Sequence, residues 1–233
     1  MEQAAELVYI NKEQVKRVAE VIKHCTEIQP SNYASHHHPP VDHPFALDYF
    51  FAVTLQQFGF WEDDGKKYVR PMIAQLDGEE LKGSAYMAKA YFSLLDKDPQ
   101  FYSPARQAKL QKSELVKVLK SDSGHDHLPA LDLHLSLANN YGQDMLDLGL
   151  SPLTIIASVN TEEKPLHAFL QQLSSISGYK EDPLGKKANL LAMILIQRPE
   201  RFLKIGSDES FKPIVDYHCM RASLRLGLIE VVD

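Results

Sequence analysis

The segment LDYFFAVTLQQFGFW, residues 47–61, decides how the chain folds. Most of its residues are apolar or aromatic, and the run is too long for a typical strand. A helix that is apolar on nearly all sides has to be buried, so we expect this segment to form a core helix. Gly59 is suited to end it, because glycine readily adopts the left-handed conformation that closes a helix. Phe50, Phe51 and Phe58 are then expected in the core.

Outward from this segment the pattern is helical almost throughout. Apolar residues recur at helical spacing in seven further stretches, residues 12–28, 78–95, 105–120, 128–148, 164–176, 185–197 and 213–228. The stretch 105–120 is expected to form either one helix or a closely spaced pair. Residues 62–70 (EDDGKKYVR) form the one credible β-hairpin, since a tight turn precedes a short extended piece. The sequence therefore predicts an all-α fold, a single helical domain over residues 1–233, with at most a small β-hairpin.

The charge balance argues against a nucleic-acid-binding protein. The 233 residues include 25 lysines and arginines against 31 acidic residues, which gives a net charge of −6. Proteins that bind a long polyanion normally carry a positive balance and a basic face. Extended nucleic-acid binding is therefore not expected, whereas a small anionic substrate held by one or two cations is compatible with this composition.

Cysteine usage and hydropathy indicate an intracellular protein. Cys25 and Cys219 are far apart in sequence and outside any CxxC pattern, which disfavours a disulfide framework or a zinc knuckle. No apolar stretch approaches the ~20 residues that cross a bilayer. The acidic N-terminus lacks the apolar core of a secretory signal. We therefore expect a cytoplasmic protein without membrane association.

Histidines are concentrated in a proline-rich segment, residues 29–46. This segment holds His36, His37, His38 and His43, with Asp42 beside them. Metal ligands converge from fixed elements, whereas consecutive histidines in an irregular loop point in different directions. A solvated loop that lines or covers a cleft is therefore the preferred interpretation, and the same holds for the HDH segment at residues 125–127. No metal and no cofactor is expected.

Asp48 opens the aromatic segment, and its carboxylate needs solvent or a partner because an unpaired buried charge is very costly. A core helix is one interpretation of the segment. The other is a pocket for a flat heterocycle, in which rings stack on the base and the carboxylate accepts from its amino or imino groups. Tyr49, Phe60 and Trp61 are the rings that accompany Asp48 in that interpretation.

A second acid lies in the segment PIVDYHCMRASLRLGLI, residues 213–229. Pro213 is typical of a helix start, which puts Asp216 in the first turn, where the helix dipole stabilises a carboxylate. A structural acid at a helix N-terminus is one interpretation. The other is a carboxylate at the mouth of a cleft, accompanied by Tyr217, His218 and Arg221.

Lys186 and Lys187 precede an apolar stretch, ANLLAMILIQ at residues 188–197. Surface charge is the ordinary interpretation of such a pair. A lysine with neighbours this apolar can instead be a partially desolvated amine, which acts as the nucleophile of a lyase or binds a phosphate. Lys187 is the candidate for that role.

Several segments resemble the queuosine salvage protein family, the queuosine-nucleotide N-glycosylases. The aromatic segment at 47–61 is similar to the acid-aromatic helix of that family. The other similar segments are KSELVKVLKSD at 112–122, LPALDLHLSLANNYG at 128–142, LGKKANLLAMIL at 184–195 and IVDYHCMRASLRLGLIE at 214–230. The resemblance touches most of the chain in the right order.

This resemblance implies a helical fold related to the helix-hairpin-helix DNA glycosylases. It also implies hydrolysis of the N-glycosidic bond of queuosine or queuosine 5′-monophosphate, with release of queuine. Asp216 takes the place of the catalytic aspartate, and Asp48 that of the acid on the aromatic helix. The implied pocket wall consists of Phe60, Trp61 and Tyr217.

The chemistry of the reaction sets what these residues would do. Cleavage of a C1′–N bond builds positive charge on the sugar, which a carboxylate below that carbon stabilises. Asp216 is expected there, with Asp48 on the base and with Arg221, His218 or a lysine on the 5′-phosphate. We therefore expect Asp48 and Asp216 to line one cavity.

The sequence is also compatible with two other functions. Lys187, taken with Val215, Asp216 and Tyr217, is similar to the archaeal oxidised-guanine DNA glycosylases, which would make the chain a base-excision glycosylase and AP lyase. A non-catalytic nucleoside-binding protein is the third possibility. The expected partner is a small-molecule nucleoside or nucleotide, and the sequence leaves the oligomeric state open.

Overall fold

The computed structural model describes residues 7–25, 31–34, 37–125 and 127–231. Its helices are α1 (Lys12–Lys23), α2 (Ala46–Leu55), α3 (Gly83–Phe92), α4 (Pro104–Gln107), α5 (Lys112–Val118), α6 (Leu131–Asp147), α7 (Pro152–Val159), α8 (Pro165–Leu173), α9 (Lys186–Gln197) and α10 (Tyr217–Arg225). A 3₁₀ turn covers Pro99–Tyr102. The strands are β1 (Val8–Ile10), β2 (Trp61–Asp63), β3 (Tyr68–Pro71), β4 (Ile73–Leu76), β5 (Glu79–Lys82) and β6 (Ile229–Val231).

The chain divides into two compact units. The terminal unit combines residues Met1–Ser31 with Pro213–Asp233, and the core unit comprises Asn32–Lys212. Each unit has its own secondary structure. That the whole chain forms one domain stays a prediction.

The prediction of an all-α fold is wrong. Helices are in the majority, but the described residues also form three two-stranded antiparallel sheets, which pair β1 with β6, β2 with β3 and β4 with β5. The β2–β3 pair confirms the hairpin expected near residues 62–70. The sequence predicted at most one small hairpin, so the other two sheets were not expected. The expected relation to helix-hairpin-helix glycosylases is not confirmed.

The β4–β5 hairpin stands where the sequence pattern predicts the first turn of a helix over residues 78–95. Its turn is Asp77–Gly78, and both residues have positive φ, 53° and 75°. This is the backbone of a two-residue turn whose twist matches that of antiparallel strands, and Asp-Gly is a favoured sequence for it. The helix therefore begins only at Gly83, after the hairpin.

Helix α2 is the centre of the core unit, as its composition predicts. Nine of its residues are buried, and Asp48 alone is only half-buried. It packs against α3, α6, α7 and α9. Phe50 and Phe51 confirm their expected place in the core, at 2% and 0% exposure. The helix ends at Leu55, four residues before Gly59, so the half-buried Phe58 lies outside it.

Helix α6 shows how one apolar stripe fixes the packing of a neighbour. His134, Ala138, Tyr141 and Met145 are all buried and follow helical spacing along one face. Gly142 lies beside this stripe, and a Cβ atom there would come within 2.2 Å of the backbone nitrogen of Ala108. Glycine at this position therefore allows the close approach of the α4 segment to α6.

Arg198 anchors the proline-rich segment that precedes α2. Its side chain is fully buried, and Glu200 accepts a hydrogen bond of 3.0 Å from its Nε. The guanidinium also donates to three backbone carbonyls of the segment, those of Tyr33, Pro39 and Pro40. One cation thus holds a loop that has little regular structure of its own, and satisfies carbonyl groups that would otherwise be costly to bury.

In the terminal unit, the two chain ends meet as strands. β1 pairs with β6, with Val8 opposite Val231 and Ile10 opposite Ile229. Asn11 caps α1 by accepting a hydrogen bond from the backbone nitrogen of Gln14 at 2.9 Å. The side chain of Gln14 then donates to the carbonyl of Leu226, just beyond α10, at 2.8 Å. This unit is therefore built from contacts between residues far apart in sequence.

Among the residues that the structure describes, no helix is both long and apolar enough to span a membrane.

Candidate functional site

The core unit contains a cleft of ≈ 260 Å³ between α2, α3, α9 and the segment before α2, which we call the ring-lined cleft. Its lining residues are Tyr33, His38, Tyr49, Phe50, Val53, Thr54, Gln57, Ser84, Ala85, Ala88, Leu190 and Ile194. His38 packs against the Phe50 ring with centroids 6.1 Å apart. This contact confirms, for His38, that the histidine-rich loop lines a cleft.

Tyr49 is the one predicted site residue among those lining the cleft. It is buried, and its hydroxyl donates to the carbonyl of His37 at 2.8 Å. Burial raises its pKa above the ordinary value for tyrosine, so the phenol stays neutral at physiological pH. Its role in binding a substrate stays a prediction.

Asp48 belongs to a different face of α2. With 3.6 residues per turn, it projects on the side of Phe51 and Leu55, away from the lining residues Val53 and Gln57. Burial raises the pKa of Asp48 to about 6, although a hydrogen bond from its own backbone opposes the rise. The same carboxylate contributes to the raised pKa of the buried Tyr141 of α6, after burial itself and Tyr179. Asp48 therefore faces α6, in a setting that favours its protonated form.

Lys187 lies at the start of α9 and is buried, with 8% of its surface exposed. Its Nζ sits 5.1 Å from the centroid of the Phe58 ring, a cation–π contact. Its backbone nitrogen donates to Asp182 at 2.9 Å. Burial lowers the pKa of the Lys187 amine, while Asp182 and Glu181 raise it. The expected partial desolvation of this lysine is thus present.

His134 is a buried histidine that the sequence pattern did not predict as a site residue. Its Nδ1 lies 2.7 Å from Oε1 of Gln56, and its ring stacks on Phe58 with centroids 4.1 Å apart. Burial, with a smaller contribution from the charge of Lys187, lowers its pKa to about 4. His134 is therefore neutral at physiological pH. The sequence did contain one indication of a special role for His134. It lies on the apolar stripe of α6, where a buried polar residue needs a specific partner.

Lys187, Phe58 and His134 form one cluster, whereas the predicted aromatic residues are dispersed. Phe60 lies near the edge of this cluster, with its ring 6.4 Å from that of His134. Trp61 opens β2 instead, and its ring lies 6.3 Å from that of Tyr68 across the hairpin. Phe60 and Trp61 are both half-buried, and their roles as pocket walls stay predictions.

Asp216 belongs to the terminal unit, where it is the N-cap of α10. Its Oδ1 accepts hydrogen bonds from the backbone nitrogens of His218, at 2.9 Å, and Cys219, at 3.2 Å. The helix thus begins at Tyr217, one residue after Asp216 rather than at Pro213. The capping role matches the structural interpretation of this acid and leaves its second oxygen for other contacts. The rings of Tyr217 and His218 lie 3.9 Å apart, and Arg221 is exposed.

Asp48 and Asp216 lie in different units, so their expected convergence on one cavity stays a prediction. Within the described part of the chain, no group of three histidine, cysteine or acidic side chains could hold a metal ion. His36 and Asp126, which belong to the two histidine-rich segments, lie outside the described residues.

Together these features define a mainly helical protein with a ring-lined cleft and a desolvated lysine stacked on an aromatic ring. The chain belongs to the queuosine salvage protein family, whose model matches residues 37–180, more than half of the sequence. This membership supports a role in queuosine salvage. The matched range contains Asp48 and His134, while Lys187 and Asp216 lie beyond it. A search of curated proteins finds no match to the chain.

Proposed function

We propose that this chain hydrolyses the N-glycosidic bond of queuosine or queuosine 5′-monophosphate and releases the base queuine. Its membership of the queuosine salvage family is the observation that carries the proposal. Salvage of a base from a nucleoside or nucleotide requires that the bond between C1′ and the base nitrogen be broken. A small-molecule nucleoside or nucleotide is accordingly the proposed partner.

In the proposed reaction the C1′–N bond breaks, the base leaves with its bonding electrons and a proton, and water supplies the hydroxyl group at C1′. Positive charge develops on the sugar as the bond lengthens. The carboxylate of Asp216 stabilises that charge and accepts the proton of the attacking water. A capping hydrogen bond already fixes the orientation of this carboxylate, which favours such preorganised stabilisation.

The substrate phosphate, when present, is the proposed ligand of Lys187. An ammonium group held over the Phe58 ring is a compact cation of fixed position. Its Nζ forms no hydrogen bond with any residue that the structure describes, so its three donors are available to phosphate oxygens. Tyr217, His218 and Arg221 are further candidates for this contact on sequence grounds.

The test is incubation of the purified chain with queuosine 5′-monophosphate and detection of free queuine by mass spectrometry. Asp216→Asn should slow the release by ~10²-fold or more, because it removes the charge that stabilises the transition state. Asparagine caps a helix about as well as aspartate, so the fold is preserved. Asp132→Asn, at an exposed first-turn acid of α6, is the matched control and should leave release unchanged. Wild-type turnover in Asp216→Asn would refute the assignment.

A base-excision lyase is the second candidate, and the lowered pKa of Lys187 favours it. An amine with a lowered pKa is more often unprotonated and can attack C1′ of a nucleotide in DNA. The C1′–N bond to the base then breaks, the base leaves with the bonding electrons and takes up the proton lost by the amine, and opening of the sugar ring gives the Schiff base. Borohydride would trap that adduct on DNA containing an abasic site, and Lys187→Met would abolish trapping. A protein that only binds nucleosides would instead show a ligand-induced rise in melting temperature without any product.

A further inference from the structure

Gln56 and His134 form a reciprocal hydrogen-bonded pair that ties the end of α2 to α6. Nδ1 of His134 lies 2.7 Å from Oε1 of Gln56, and this nitrogen carries the proton, because an amide oxygen can only accept. The amide nitrogen of Gln56 donates in turn to the backbone carbonyl of His134 at 3.4 Å. Both residues are 0% exposed. The ring of His134 is therefore fixed in orientation and in tautomer.

The second ring nitrogen of His134 keeps the imidazole neutral. Nε2 is buried and has no hydrogen-bond partner among the residues that the structure describes. Gly59 lies against it, since a Cβ atom at Gly59 would come within 3.2 Å of Nε2. Protonation would create an N–H group there, and a buried donor without an acceptor is costly. The geometry thus agrees with the pKa of His134, which burial lowers to about 4.

Phe58 connects this neutral ring to the amine of Lys187. The His134 and Phe58 rings stack with centroids 4.1 Å apart and planes 18° from parallel. Nζ of Lys187 lies 5.1 Å from the centroid of the same Phe58 ring. Phe58 is half-buried and lies beyond the end of α2, so no regular backbone structure holds it. The stacked imidazole supplies a contact that fixes the Phe58 ring.

A neutral partner suits this cluster because the protonated amine of Lys187 is itself a cation. A second positive charge on His134 would repel it, and the charge of Lys187 already contributes to the low pKa of His134. Burial lowers the pKa of the Lys187 amine, Asp182 and Glu181 raise it, and the charge of Lys186 lowers it. A neutral flat ring packs on an aromatic side chain without opposing the nearby ammonium group.

We propose that His134 is a positioning residue, which holds the Phe58 ring and through it the ammonium group of Lys187. The inference rests on the proposed function for the group that Lys187 then binds, the 5′-phosphate of the substrate. Because His134 is 0% exposed, it acts through Phe58 rather than by contact with the substrate. Loss of the stack should free the Lys187 amine to move and should weaken the phosphate contact alone.

The kinetic test combines Gln56→Leu with His134→Leu in the full chain. Removing both partners strands neither side chain, so the melting temperature should stay close to that of the wild type. KM for queuosine 5′-monophosphate should rise roughly 2- to 12-fold, the equivalent of one aromatic pair, and KM for queuosine should not change. A purely structural role for His134 would leave the ratio of the two KM values unchanged. His167→Leu, at an exposed histidine of α8, is the matched control and should keep both KM values.

A spectroscopic test reports the position of the amine without any activity. In the NMR spectrum of the wild type, the ring current of Phe58 should shift the ε-methylene protons of Lys187 upfield. Phe58→Leu should abolish this shift, and the double variant should lose most of it. If the double variant does not fold by circular dichroism, His134→Gln takes its place in both tests, because it keeps a neutral donor for Gln56 and removes the ring.

The outcomes separate this inference from the proposed function. An unchanged upfield shift in the folded variant would overturn the positioning role of His134. An unchanged ratio of the two KM values in an active variant would overturn it as well. If the wild type releases no queuine from either substrate, the glycosylase is refuted, and the NMR shift alone decides whether His134 positions Lys187.

Discussion

Replacing Arg198 with methionine should destabilise the core unit severely. The side chain is 0% exposed and that of Glu200, its partner, 6% exposed, so the substitution leaves a buried carboxylate without its counter-charge. Among the described residues, Glu200 would keep hydrogen bonds from the backbone nitrogen of Asp42, at 3.1 Å, and from its own backbone. The guanidinium also lies 4.9 Å from the Phe50 ring centroid, and that packing is lost too. Breaking a buried ion pair by removing one partner typically costs ~3–5 kcal/mol.

A second substitution separates two contributions to this loss of stability, the unpaired charge of Glu200 and the broken hydrogen bonds of Arg198. Glu200→Gln in the Arg198→Met background removes the stranded charge and should recover a large part of the lost stability. The part of the stability that is not recovered measures the lost hydrogen bonds to the loop carbonyls of Tyr33, Pro39 and Pro40. These bonds hold the segment that carries His38 to the ring-lined cleft.

Urea unfolding at pH 7 measures these changes. The matched control is Arg106→Met, whose side chain is 32% exposed and pairs with Glu114 at 2.5 Å. Exposed ion pairs contribute about 0–1 kcal/mol, so this control should lose little. Equal losses in the free energy of unfolding for the two arginine variants, or no recovery with Glu200→Gln, would contradict this account of the ion pair.

Acid titration gives an independent check on the same ion pair. Although burial opposes it, hydrogen bonding to Arg198 holds the pKa of Glu200 below its usual value. A lowered native pKa contributes stability above the unfolded pKa and loses it as pH falls through the native value. The wild type should therefore lose the stability contributed by the Glu200 carboxylate as the pH falls. Arg198→Met should lack this acid-dependent loss of stability.

Three further predictions concern other parts of the molecule. Burial raises the pKa of Asp48 from 3.8 to about 6, so its ionisation opposes folding. The free energy of unfolding should therefore fall as pH rises from about 4 to 7. If Asp48→Asn showed the same dependence of this free energy on pH as the wild type, the prediction would be wrong. Gly178→Ala should destabilise by about 1–3 kcal/mol in urea, since its Cβ would lie 2.0 Å from Leu55 Cδ1. The control Gly149→Ala also has positive φ but meets nothing within 4 Å, so equal losses would refute the packing argument. Lys187→Met should raise KM for queuosine 5′-monophosphate roughly tenfold, the equivalent of a charge-assisted hydrogen bond, and leave KM for queuosine unchanged; equal effects on both would exclude a phosphate contact.

Helix formation depends largely on residues three and four positions apart, so the sequence predicted most of the helices, although it missed α7 (Pro152–Val159). The apolar stripes predicted α6, α8 and α9 close to their observed bounds, and the aromatic run predicted the buried α2. For α1 they predicted the start, but the helix ends at Lys23 rather than near residue 28. The local sequence Asp77–Gly78 also favours the turn that is observed there. The strands on either side of it, Ile73–Leu76 and Glu79–Lys82, are so short that their pattern is not distinguished from that of a helix. The family was recognisable from the order of its segments.

Tertiary structure alone decided how those elements meet. Nothing near Val8 indicates that it pairs with Val231, and nothing near Tyr33 indicates that Arg198 will bind its carbonyl. Likewise the stack of His134 on Phe58 arises from side chains brought together by packing. Local periodicity records which face of an element is buried, but not which distant residue covers it, because many chain arrangements bury the same face equally well.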